Sequence, residues 1–109
     1  MKIRIVRCSV LSFCFLFLLV IFLHAESKHN VLPSNGYVPD AKTAIRIAEA
    51  VWIPIYGEET LADEKPFVAI LEEGVWYVHG TLPVGSLGGT AEAEIDAVSG
   101  KILRVSHGE

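Results

Sequence analysis

The strongest constraint on this chain is where its apolar residues lie. Lys2, Arg4 and Arg7 precede a stretch from residue 8 to 23 that is apolar except for Ser9 and Ser12, and polar sequence resumes at Glu26. A basic start, an apolar middle and a small residue at the junction are the layout of a secretory signal peptide over residues 1–25. Cleavage is expected between Ala25 and Glu26. The apolar run of 16 residues is shorter than the ~20 that span a bilayer comfortably as a helix. Leu23 is bulkier than the ideal residue at its place, so an uncleaved N-terminal anchor is the alternative. Both readings export the remainder to the periplasm or beyond. Phe13, just before Cys14, argues against a lipoprotein site.

This partition changes what has to fold. The first 25 residues hold 19 hydrophobic side chains and three of the nine Lys+Arg. The 84 residues that remain carry 13 acidic and 6 basic side chains, so their formal charge is −7, against −4 for the whole chain. That length allows one domain with a modest core and excludes a two-domain enzyme. Its acidity argues against nucleic acid, or an anionic membrane after signal removal, as partner. Cys8 and Cys14 both lie in the leading segment. A disulfide framework, a zinc–thiolate site and a thiol nucleophile are therefore excluded from the exported part, which must be held by packing alone.

Residues 26–36 are polar, broken by Pro33 and Gly36, and read as a leader; the domain is expected over 37–109. Asp40 is a good N-cap for a helix. Ala41, Ala44, Ile45, Ala48, Val51, Trp52 and Ile55 then recur at helical spacing, with Lys42, Arg46 and Glu49 opposite. Pro54 should end or kink this helix. Residues 58–65 read as a short helical turn or a charged loop. Four strand signals follow, at 67–72, 75–81, 90–96 and 101–106, with tight turns at Glu73-Gly74 and Ser99-Gly100. Helix first, then a meander of strands, is an α+β layout. The expectation is an N-terminal helix across one face of a curved antiparallel sheet of about four strands. Ala91 and Ala93 would allow close approach.

Candidate catalytic groups are few. His79 sits in a strand, His107 near a disordered-looking end and His29 in the leader. Ser86 lacks the strand–turn–helix context of a nucleophile elbow, and the glycines around it do not open a helix, as a phosphate cradle requires. Glu58, Glu59, Asp63 and Glu64 match no calcium loop and read as a solvated charge run. No catalytic set, metal or cofactor is expected. A small enzyme or ligand-binding domain would instead need a polar-lined cavity beneath the helix.

The more informative feature is the stripe of Glu92, Glu94 and Asp96 on one strand face, opposite Ala91, Ala93 and Ile95. Three carboxylates so spaced repel unless a cation or a basic partner meets them. The stripe is either a water-facing strand that resists aggregation or an acidic docking surface for a basic protein. Trp76 would supply an aromatic anchor if it shared that face, and His79 is a further candidate contact for the partner. Strand parity leaves open whether Trp76 or Tyr77 points outward.

Several blocks carry a family resemblance. They are Gly36-Tyr-Val-Pro-Asp-Ala-Lys-Thr-Ala-Ile-Arg-Ile-Ala-Glu-Ala50, Pro54-Ile-Tyr-Gly-Glu58, Lys65-Pro-Phe67, Gly74-Val-Trp-Tyr-Val-His-Gly-Thr-Leu-Pro83, Leu87-Gly-Gly89 and Ile95-Asp-Ala-Val-Ser-Gly-Lys-Ile-Leu103. In order and spacing, over residues 36–108, the chain resembles the bacterial immunity proteins with a nuclear transport factor 2-like fold, found beside polymorphic toxin genes such as Rhs elements. The resemblance implies a non-enzymatic protein that binds and neutralises a cognate toxin. It supplies no catalytic residues. The full cone of that fold has more helices than 84 residues provide, so a reduced, cystatin-like version is expected. Asp96-Ala-Val-Ser-Gly-Lys-Ile102, after an Ala- and Ile-rich helix, is also similar to small exported PepSY domains, which would imply a peptidase inhibitor or regulator.

Overall fold

The structure, a computed structural model, describes residues 29–108. The expected signal peptide and its Ala25–Glu26 junction lie outside the described residues. The compact unit that carries the fold runs from Pro33 onward.

Helix α1 (Ala41–Tyr56) starts where the sequence puts its cap. Asp40 is extended, and its Oδ1 accepts from the Thr43 backbone N–H and from Thr43 Oγ1, both at 2.7 Å. Those two hydrogen bonds hold the Asp40 carboxyl below its ordinary value. The buried line advances by fours, through Ala44, Ala48 and Trp52, and Tyr56 packs against the same core. Ile55, expected on that stripe, falls off the line and is exposed. Pro54 does not end the helix, which continues to Tyr56. Proline this close to the C-terminus removes one of the last intrahelical bonds, and the helix closes through Gly57 N–H donating to Ile53 O at 2.9 Å. A short helix α2 (Glu58–Ala62) follows and buries Leu61.

The sheet is a four-stranded antiparallel meander in the order β1 (Val68–Glu72), β2 (Val75–His79), β3 (Ala91–Asp96), β4 (Ile102–His107). One face carries Ala69, Trp76, Val78, Ala91, Ala93, Ile95 and Val105 and packs under α1. Ala44 and Ala48 on the helix and Ala91 and Ala93 on β3 are all essentially buried. Small residues on both elements let the helix lie close, and Trp52 fills the remaining space with no exposed surface. Its indole N–H donates to Glu92 O at 3.1 Å, and its ring meets Phe67 at 5.4 Å between centroids. The expected architecture is the observed one: a helix on one face of an open, four-stranded antiparallel sheet. Beneath the helix Trp52, Val78 and Ile95 are fully buried in one apolar cluster, not the polar-lined surroundings that a ligand-binding reading required.

Gly36, at the end of the polar leader, is pinned to the β3–β4 turn. Tyr37 N–H donates to Val98 O and Val38 N–H to Ala97 O, at 2.9 and 3.0 Å. Gly36 has φ +79°, and a Cβ there would lie 2.6 Å from Ala97 O and from Val98 Cα. Both obstacles are backbone. Gly36→Ala should therefore cost roughly 1–3 kcal/mol, read as a lowered denaturation midpoint with an unchanged m value.

Candidate partner-binding face

Among the described residues no helix covers the second face of the sheet, and its rows follow from the strand register. Ile70, Tyr77, Glu94 and Arg104 form one row across the four strands, and Val68, His79, Glu92 and Ser106 form the next. Tyr77, His79, Glu92, Glu94, Arg104 and Ser106 line a depression of about 200 Å³. Small-molecule sites are usually ~300–1,000 Å³, so this one suits a single protruding side chain better than a bound metabolite.

The carboxylate stripe divides in two. Arg104 reaches across from β4, with Nη1 3.4 Å from Glu94 Oε2 and Nη2 3.9 Å from Glu92 Oε2. Ser106 Oγ donates to the same Glu92 oxygen at 3.3 Å. The cation that the stripe requires thus comes partly from the chain itself, and one guanidinium against two carboxylates leaves the pair net negative. Arg104 was not marked by the sequence: a regular hairpin continuing the Ile95↔Ile102 pair would set Glu94 opposite Leu103, and it is the extra residue in β4 that brings Arg104 opposite Glu94 and Ser106 opposite Glu92. Asp96 does other work. Its Oδ1 accepts from Ser99 N–H at 2.8 Å, Ser99 Oγ and Val98 N–H at 3.0 Å, and the Ser99 bonds hold its carboxyl low. It shapes the turn.

The parity left open in β2 is settled. Trp76 points inward, 7% exposed, with Nε1 donating to Val38 O at 2.8 Å. The expected anchor role for Trp76 is therefore corrected: its large ring and N–H find both core and acceptor on the helix side. Tyr77 is the aromatic on the open face, 39% exposed. His79 is half-buried on that face, its Nδ1 2.8 Å from Gly80 O.

A second cluster sits at the end of the core, where a solvated charge run and a disordered end were expected. Glu64 is buried; its Oε1 accepts from Ala91 N–H at 2.6 Å and its Oε2 lies 3.1 Å from His107 Nε2. His107 belongs to β4. Its Nδ1 faces Gly108 O at 2.8 Å, and Tyr56 stacks tilted at 5.1 Å. Both ring nitrogens face acceptors, and only the imidazolium donates to both. The hydrogen bond that His107 donates to Glu64, helped by Gly108 O and by the charge of Glu92, raises the His107 pKa above its ordinary value. A raised folded-state value contributes stability that is complete below the unfolded pKa and lost as pH rises through the folded one. Asp40 and Asp96, shifted down, lose their contributions only in acid and leave this window undisturbed. The melting temperature should fall as pH rises past 6.5, and His107→Gln should flatten that decline.

A helix on one side of an open sheet, with charged and aromatic side chains presented on the other, defines a small α+β domain whose exposed chemistry is a surface. The family model of the NTF2 fold immunity proteins matches residues 43–109. The chain belongs to that family, and its fold is NTF2-like. The match spans most of α1 and everything after it, and it decides for an immunity protein over the PepSY alternative. No curated protein and no solved structure matches the chain.

Proposed function

We propose that this protein is exported and protects its cell by binding a toxin protein through the open face of the sheet, acting by occlusion rather than catalysis. The observation that carries the reading is the chemistry of this face, which no helix among the described residues covers. A family of immunity proteins supplies the class, and this face is where the chain leaves Tyr77, His79, Glu92, Glu94 and Arg104 accessible around one depression. The net-negative pair and the −7 charge of residues 26–109 favour a toxin with a basic docking surface, since complementary charge speeds encounter and excludes wrong partners. Tyr77 supplies a rigid aromatic of the kind that anchors interfaces. Residues 1–25 supply the export signal, placing the encounter in the periplasm or outside the cell.

The test is co-expression with the toxin encoded beside this gene, combined with a pull-down from fractionated cells. Survival and co-purification of a toxin complex from the periplasmic or secreted fraction are expected. Death of the co-expressing cells with no complex would end the proposal.

A further inference from the structure

The two edges of the sheet are built differently. In the pairing of β3 with β4 the register shifts between Glu94 and Ile95, so Leu103 is an extra residue and β4 is bulged. A bulge is one of the devices by which proteins blunt an edge against further pairing. β1 has none. Its register with β2 is continuous from Val68↔His79 to Glu72↔Val75, and its sequence Val-Ala-Ile-Leu carries no charge before Glu72 and no proline. Val68, Ile70 and Leu71 are 38%, 49% and 51% exposed. An apolar edge of regular geometry, with no further strand paired to it among the described residues, is a template for another strand.

We infer that β1 pairs antiparallel with β1 of a second copy of this chain, centred on Ile70, joining the two sheets across a two-fold axis. Centring on Ile70 matches all five residues: Val68 faces Glu72 of the second copy, Ala69 faces Leu71, and Ile70 faces itself. Charge selects this arrangement. Lys65 precedes the strand and Glu72 and Glu73 end it, so antiparallel pairing brings the lysine of each copy toward the acids of the other. Parallel pairing would set Glu72 against its own copy, which is destabilising. The two Ile70 side chains meet on the open face, so the dimer presents two binding faces side by side on one continuous sheet.

The test uses the full-length gene with Cys8→Ser and Cys14→Ser, recovered from the expressing cell. In that background Ile70→Cys places a thiol opposite itself, within the ~4.4–6.8 Å Cα separation that a disulfide bridges, and mild oxidation should give covalent dimer. Val68→Cys, which faces Glu72, should give little. Sedimentation should report a dimer for the parent chain and monomer for Ile70→Lys, folded by circular dichroism, with dimer association weakened at least about tenfold because the change counts twice across the axis. A monomeric parent, a dimer that survives Ile70→Lys, or cross-linking as efficient from Val68→Cys would overturn the inference. A monomeric parent whose β1 amides gain exchange protection only with toxin would assign the edge to the toxin instead.

Discussion

Trp52→Ala should remove a large share of this domain's stability. The indole is fully buried, its N–H donates to Glu92 O, and its ring packs against Phe67. Truncating a buried tryptophan costs roughly 3–5 kcal/mol. A domain of this size has about 4–12 kcal/mol in total, and it has no disulfide to fall back on. The loss corresponds to a drop of at least about 12 °C in melting temperature. Trp52→Phe should cost less, because most of the ring volume stays while the hydrogen bond goes. The consequence reaches the far side of the sheet, since Trp52 fixes the backbone of the residue that presents the Glu92 carboxylate. Thermal denaturation followed by near-ultraviolet circular dichroism checks both variants.

The second large effect is on binding. Glu92→Lys with Glu94→Lys should weaken capture of the toxin on the order of 100-fold, because placing like charges across an interface costs several kcal/mol. Most of the change should fall on the association rate and on its dependence on salt. Stability should hardly move: the two side chains are 50% and 25% exposed, and exposed ion pairs contribute about 1 kcal/mol or less. Surface plasmon resonance at two ionic strengths separates these outcomes. Unchanged affinity and unchanged salt dependence would return both carboxylates to plain solvated surface.

What the sequence could and could not reveal follows from the range of the interactions involved. The helix, the strands and the inward set on β3 were legible because each is written within a few residues: Asp40 before an apolar stripe, alternation in 91–96, turn residues at 73–74 and 99–100. Parity in β2 was not legible. Trp76 and Tyr77 are both acceptable on either face until Val38 O, far away in the chain, provides the indole its acceptor. Glu64 was misread for the same reason. Nothing near it marks a buried carboxylate; its partners are Ala91 and His107, 27 and 43 residues on. The stripe of three acids looked uniform, yet Ser99 takes Asp96 into a turn while Arg104 meets the other two.

Side-chain footprinting of the chain with and without its toxin is the most direct test of the claim that the open face is the binding face. Hydroxyl radicals label tyrosine and histidine according to their exposure, and they distinguish the two faces of one sheet where backbone amides do not. Saturating toxin should protect Tyr77 and His79, while Tyr37 and the exposed Ile53 and Ile55 of α1 keep their reactivity. Protection of the α1 surface, with Tyr77 and His79 labelled as in the free protein, would contradict that claim.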